Sequence, residues 1–293
     1  MPDRNDVELI VVLRMLLLSA GALLSIGCGA LINNVTSGLA DDLTTAVLSS
    51  EDIKVVEEGL PSYLILVDSF VQGDQPSADL LLGAAVLNGS YATAFVEDAS
   101  RQKHFALKAF DYAQQATCMK IANLCAAKKQ DFKDFESRVQ SIKLKDIETL
   151  YVFGTSWATY IQTHSDDWEA VAELSHVKVL MQHVLDLDET HEQGASHMYM
   201  GVFETLFPPS MGGKPEKGRE HFERAITLSE GRNLYAKVLL AESYARLVYD
   251  RELHDRLVEE ILNSSPKAGD FTLQNILAQQ LAEELKNSAD EYF

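Results

Sequence analysis

The stretch Gly218–Ala225, which reads GREHFERA, decides the fold of this chain. It places a small residue, a large aromatic residue and a second small residue at positions i, i+4 and i+7, as Gly218, Phe222 and Ala225. Residues at this spacing share one face of an α-helix, so the stretch predicts a helix that meets another helix at close range. The same small–aromatic–small spacing recurs at Ala106/Phe110/Ala113. A variant with larger outer residues occurs at Val177/Met181/Val184, and a poorer match runs from Leu253 to Ile261.

Helical periodicity also covers the rest of the chain. From Val35 onward apolar residues recur at intervals of three and four, and no stretch alternates in the manner of a strand. The sequence therefore predicts an all-α fold, a tetratricopeptide-like α-solenoid of helical hairpins. Ordinary helix packing is the alternative, because alanine-rich helices reach the small–aromatic–small spacing by chance.

The N-terminal segment predicts export and lipidation. An uncharged run from Met15 to Gly27 follows Arg14 and ends at Cys28. At about 13 residues it is shorter than the roughly 20 that a membrane-spanning helix needs. The run resembles a bacterial lipoprotein signal with its lipobox, in which the cysteine is acylated and becomes the first mature residue. We therefore predict a lipoprotein signal peptide over residues 1–27, lipidation at Cys28 and an all-helical domain over residues 28–293. A plain membrane anchor, or a buried helix with an incidental cysteine, is the alternative.

The residue after the cysteine bears on location. Gly29 stands there instead of an aspartate, which in Gram-negative lipoprotein sorting resembles an outer-membrane address rather than an inner-membrane one. Each buried CH2 of an acyl chain contributes about 0.8 kcal/mol to membrane attachment, so several chains hold firmly. The resemblance therefore predicts a lipid-anchored protein on the periplasmic face of the outer membrane.

Charge and motifs argue against nucleic-acid binding, catalysis and metal binding. The chain has 44 acidic and 25 basic residues, a net charge of −19. This charge repels phosphate backbones and favours cationic or neutral partners, so we predict that the protein does not bind nucleic acid. The sequence contains no nucleophile elbow, phosphate loop or dinucleotide fingerprint, so we predict a non-enzyme without a cofactor. We expect no metal site, because His191 and His197 are six residues apart rather than the four that put two imidazoles on one helical face.

Cys118 and Cys125 fall in one predicted helix, Tyr112 to Ala127, which contains neither Gly nor Pro. Seven residues of helix separate two Cα atoms by about 10.5 Å, which exceeds the roughly 7 Å that a disulfide tolerates. Apart from Cys28 these are the two remaining cysteines, and an even count outside the cytoplasm favours a disulfide. The helical prediction outweighs it, and we expect two buried free thiols unless the helix breaks between them.

Aromatic side chains mark the candidate binding site. The site would use three residues of one helix, two of another and one of the following loop: Tyr151, Trp157, Tyr160, Phe203, Phe207 and Met211. In that loop, two adjacent prolines forbid a helix and two glycines permit close backbone approach. These residues would line an apolar channel for a hydrophobic ligand, or form a protein contact. Core packing and a long inter-helix turn are the alternatives, and the sequence does not separate them.

Particular phrases, together with the lipobox and the helical pairs, resemble the T component of TRAP transporters (tripartite ATP-independent periplasmic transporters). The phrases are VVEEGLPSYL at 55–64, YATAFV at 91–96, Leu150-Tyr151 with Trp157-Ala158, and FPPSMGG at 207–213 followed by GREHFERA. They are packing and turn motifs, so they identify a family rather than a chemistry.

The resemblance implies a lipid-anchored periplasmic accessory that assembles as a homotrimer and docks the substrate-binding (P) component. It further implies assistance in the uptake of a ligand, either hydrophobic or an organic acid. A tetratricopeptide-like scaffold that organises envelope proteins and binds no small molecule is the alternative function.

Overall fold

The computed structural model describes residues 45–73, 75–125, 127 and 131–293. Within these ranges the chain forms twelve α-helices and no strand, which confirms the all-α prediction and fits a helical repeat fold. The predicted signal peptide and Cys28 lie outside the described residues. Of the helices in these ranges, none combines the length and apolarity required to cross a membrane.

The helices are numbered here in chain order. The first six are α1 (Ile53–Val71), α2 (Ala78–Ala94), α3 (Ala99–Lys120), α4 (Phe132–Gln140), α5 (Ile147–Thr163) and α6 (Trp168–Ala172). The second six are α7 (Leu174–Leu187), α8 (Ala195–Thr205), α9 (Pro215–Leu228), α10 (Leu234–Leu239), α11 (Arg251–Asn263) and α12 (Thr272–Tyr292). A π-helical segment, Leu240–Ala245, directly continues α10.

Seven of these helices begin at a side chain that accepts a hydrogen bond from the first turn. Asp98 accepts from the backbone N–H of Arg101 at 2.8 Å, and Asp250 accepts from that of Leu253 at 2.9 Å. Such caps satisfy N–H groups that have no partner within the helix, and each contributes about 1 kcal/mol. Local sequence therefore determines where many of the helices start.

The repeated spacing lies at the helix contacts. Phe110 is buried on α3, where its ring centre lies 5.8 Å from that of Phe153 on α5. Phe222 is buried on α9, in a second core cluster that includes Ile261 and Ala278. In these two copies, and in the larger-residue variant Val177/Met181/Val184, the outer residues of the spacing are buried as well. The small residues thus stand where neighbouring helices pack, as the sequence predicts.

Helices α8 and α9 approach each other especially closely. A Cβ atom added at Gly201 would lie 2.4 Å from Phe222, and one added at Gly218 would lie 2.9 Å from the backbone oxygen of Gly201. Both distances are shorter than side chains tolerate. The two glycines therefore permit this contact.

The prediction of free thiols is wrong, because Cys118 and Cys125 form a disulfide. Helix α3 ends at Lys120, and Ile121 leaves the helical region with φ −132° and ψ 71°. A short 3-10 turn, Ala122–Leu124, then reverses the chain and brings the two Cα atoms to 4.3 Å. The helix break that would permit a disulfide is present.

Candidate functional site

The six residues of the predicted site fall in two places. Four of them lie at the larger core cluster. Trp157 belongs to that cluster, and three others are partly buried against it: Tyr151, Tyr160 and Phe203. Phe207 and Met211 follow α8 and are 44% and 69% exposed. The structure thus brings four of the residues together around the core and leaves two at the surface.

Trp157 is fully buried and has a packing role. Its indole ring centre lies 5.2 Å from that of Phe153 and 5.5 Å from that of Phe110. The indole Nε1–H donates to Glu173 Oε2 at 2.7 Å, so the polar end of the ring is satisfied inside the protein. Trp157 is therefore a core residue and does not line a binding channel.

Tyr151 lies beside a mixed acidic and imidazole cluster. Its ring is 5.3 Å from that of His191 in an edge-to-face arrangement, and burial raises the pKa of the phenol well above its ordinary value. His191 Nε2 lies 3.3 Å from Glu148 Oε2, and this carboxylate raises the pKa of the imidazole. Glu192 completes the cluster from a strained left-handed turn, with φ 49°. Ligand atoms of the three lie within 4.8 Å of one another, so they could hold a metal ion.

Tyr160 lies near the C-terminal end of α5 in acidic surroundings. Its ring stacks on His164 with a centre-to-centre distance of 4.3 Å. Burial raises the pKa of the phenol, and nearby carboxylates raise it further. These carboxylates belong to Glu173, Asp167, Asp111 and Glu169.

The loop that carries Phe207 and Met211 is closed by its own backbone. Lys214 N–H donates to Glu204 O at 2.9 Å, and Met211 N–H donates to Pro208 O at 2.9 Å. A Cβ atom at Gly213 would lie 1.6 Å from the carbonyl oxygen of Phe207, so only glycine fits there. The loop therefore has a defined backbone conformation, from which its apolar side chains are exposed.

A pair of histidines joins α8 to α9. The Nδ1 atoms of His197 and His221 lie 2.8 Å apart, so one imidazole donates and the other accepts. Glu189 Oε2 lies 3.5 Å from His197 Nε2 and also accepts from Arg224 Nε at 3.1 Å. Burial, and then the positive charge of His197, lowers the pKa of His221 to about 4. The pair favours a neutral state at physiological pH.

Sequence reasoning missed both this pair and the exposed Trp168. The histidines are 24 residues apart, and no local pattern relates them. Trp168 carried a usable signal, because it directly follows Asp166 and Asp167 and precedes Glu169. A tryptophan among acids does not fit an apolar stripe.

Two cavities flank the π-helical segment, and none of the six predicted residues lines them. The smaller, of about 130 Å³, includes Arg246 and Glu284 in its lining, and the larger, of about 280 Å³, includes Leu206 and Tyr292. Glu242 lines both. Cavities of this size hold only small molecules.

Comparison with known proteins gives a family. No curated protein matches the chain. The model of the TRAP transporter T-component family matches residues 49–293, a span that includes all twelve helices. A match over this share of the chain, together with the confirmed helical repeat, shows that the protein belongs to the TRAP transporter T-component family.

Proposed function

We propose that this protein is a lipid-anchored accessory of a TRAP-type uptake system, and that it binds the substrate-binding (P) component in the periplasm. The family match over residues 49–293 carries the proposal. Membership implies an accessory role, association with other TRAP components and a position on the periplasmic side of the envelope. It favours a protein that acts by binding rather than by catalysis.

The disulfide supports a periplasmic location. Cys118 and Cys125 are joined, and structural disulfides form and persist in oxidising compartments such as the periplasm. A cytoplasmic location would expose the bond to thiol reductants. The compartment inferred from the family therefore agrees with chemistry that is independent of the family match.

Anchoring through Cys28 is tested by mass spectrometry and fractionation. The mature N-terminus should be a Cys28 that carries acyl chains, and the full-length protein should sediment with outer membranes on a density gradient. Cys28→Ala should release the protein from the membrane fraction or leave it unprocessed. Recovery of an unmodified Cys28 in membrane-bound wild-type protein would refute lipid anchoring.

The loop after α8 supports partner binding. Its apolar side chains are exposed and its backbone is held by internal hydrogen bonds, so docking on the loop costs little backbone conformational entropy. We expect the double variant Phe207→Ala/Met211→Ala to weaken binding of the P component at least about 10-fold, measured by calorimetry. Val55→Ala is the matched control, because Val55 is 64% exposed on a different helix. Equal affinity of the double variant and the control would remove the loop from the binding surface.

A scaffold that binds no small molecule is the second candidate. It is favoured by the filled core around Trp157 and by the absence of the six predicted residues from the linings of both cavities. Native mass spectrometry of the protein released from detergent separates the two candidates. A homotrimer that retains a hydrophobic or organic-acid mass supports a ligand-handling accessory, whereas ligand-free protein that still binds the P component supports the scaffold.

A further inference from the structure

Trp168 is the most exposed large apolar residue in the described part of the chain. It is 85% exposed, whereas the other tryptophan, Trp157, is fully buried. Among the described residues, its indole contacts no other aromatic ring and no cation, and it forms no hydrogen bond. Tryptophan is enriched among residues that dominate protein interfaces, and it offers a large contact area with few rotatable bonds.

The backbone around Trp168 is anchored on both sides. Lys103 Nζ on α3 donates to Asp166 Oδ1 at 2.7 Å, which ties the preceding turn to another helix. Asp167 Oδ1 accepts from the backbone N–H of Glu169 at 2.9 Å and caps α6. Glu173, directly after α6, accepts from the buried indole of Trp157. Trp168 is therefore presented on a fixed platform, and binding would order little of the chain.

The surroundings of Trp168 are acidic. Its sequence neighbours are Asp166, Asp167 and Glu169, and two of these carboxylates lie close enough to Tyr160 to raise the pKa of that phenol. Lys103 supplies a positive charge and is paired with Asp166. We call Tyr160 and residues 166–169 the Trp168 surface. An aromatic face beside several carboxylates is the arrangement that attracts a guanidinium or ammonium group.

We propose that the Trp168 surface is a docking site for a protein partner with an apolar pocket rimmed by Lys and Arg residues. The indole enters the pocket, and the carboxylates of Asp167 and Glu169 face the basic rim. Charge complementarity selects this occupant over a second copy of the chain, because two such surfaces would bring like charges together in a protein of net charge −19. The inference rests on the proposed function for the identity of the partner, which is the substrate-binding component.

The test uses the full-length protein in detergent micelles and the purified substrate-binding component of its own TRAP system. Affinity is measured by calorimetry, and the association rate by stopped-flow fluorescence, for the wild type, Trp168→Ala and Glu169→Lys. We expect Trp168→Ala to weaken binding about 30-fold or more, as for a central interface tryptophan. Glu169→Lys should slow association, and raising the salt concentration should slow association of the wild type. Ile65→Ala is the matched control, because Ile65 is 73% exposed on α1, and it should bind normally.

Fluorescence gives a second readout that a merely structural effect would not produce. Complex formation should shift the emission attributable to Trp168 to shorter wavelength and protect it from acrylamide. That emission is obtained as the difference between the wild type and Trp168→Phe, in which only the buried Trp157 remains. All variants should keep the unfolding temperature of the wild type, because the substituted side chains are exposed.

The outcomes distinguish failure of the docking surface from failure of the proposed function. If the wild type binds the component and Trp168→Ala binds equally well, the docking surface is refuted while the proposed function stands. If the wild type does not bind the component, the proposed function and the partner named here fail together. If Trp168→Ala instead loses self-association in native mass spectrometry, the occupant is a second copy and the proposal is overturned.

Discussion

Replacing Gly218 with alanine tests the close contact between α8 and α9. The new Cβ would lie 2.5 Å from Thr205 Cγ2 and 2.9 Å from the backbone oxygen of Gly201, and neither atom ends a long flexible side chain. Alanine gains roughly 1 kcal/mol as the better helix former, whereas forcing a methyl group into a packed contact costs about 1–3 kcal/mol. Because a backbone carbonyl must move, we take the upper end of that cost and expect a net loss of about 2 kcal/mol in the free energy of unfolding.

Gly83→Ala is the matched control for this substitution. Gly83 is exposed on α2, and an added Cβ would have no heavy atom within 4 Å, so only the helix preference acts. We expect this variant to be more stable than the wild type by about 0.5–1 kcal/mol. Urea unfolding followed by far-UV circular dichroism should therefore show free energies of unfolding that differ by about 3 kcal/mol between the two variants, one below and one above the wild type. A Gly218→Ala protein as stable as Gly83→Ala would refute the claim that glycine is needed at this contact.

Two further predictions concern stability. The pKa of His221 is held at about 4, below its ordinary value of 6.5, so between these pH values the unfolded chain takes up a proton that the folded chain does not. Stability should therefore fall by about 1–2 kcal/mol as the pH drops through this window, a figure reduced for partial exposure. His221→Gln should remove this part of the slope in urea titrations at pH 7 and pH 5, and an unchanged slope would contradict the assignment. Separately, the double variant Cys118→Ser/Cys125→Ser should lose about 2.5 kcal/mol, because the disulfide restricts a loop of about eight residues in the unfolded chain. A wild-type urea midpoint that is insensitive to reductant would argue against this contribution.

Sequence reasoning predicted the helical architecture and missed most of the surface chemistry. The buried positions of Phe110 and Phe222 follow from a spacing that repeats every helical turn, so a short window of sequence contains the signal. The candidate site was harder, because the sequence grouped Trp157 with Phe207, whereas the structure buries the first and leaves the second 44% exposed. Whether an aromatic residue on a helix is core or surface depends on which distant element packs against it.

The disulfide shows the same limit at the level of the backbone. Helical periodicity runs through Cys118 and Cys125 without a Gly or Pro between them, so the sequence predicts a continuous helix. In the structure Ile121 is buried and adopts a non-helical conformation, after which the chain turns back. Burial of Ile121 and the neighbouring Leu124 in the core favours the turn over one more turn of helix. Helix propensity describes each residue in its local sequence, so it does not include such a tertiary contact.

The sequence by itself determined the all-α class, many of the helix starts, the repeat positions and the membership in the T-component family. These properties depend on residues within a few positions of one another, where periodicity and capping act. Only the tertiary structure decided that His197 meets His221, that Trp157 is buried while Trp168 is exposed, and that the two cysteines meet. These features depend on which helices pack together and where the chain turns between them, since side chains far apart in the sequence acquire a shared environment only when the chain folds.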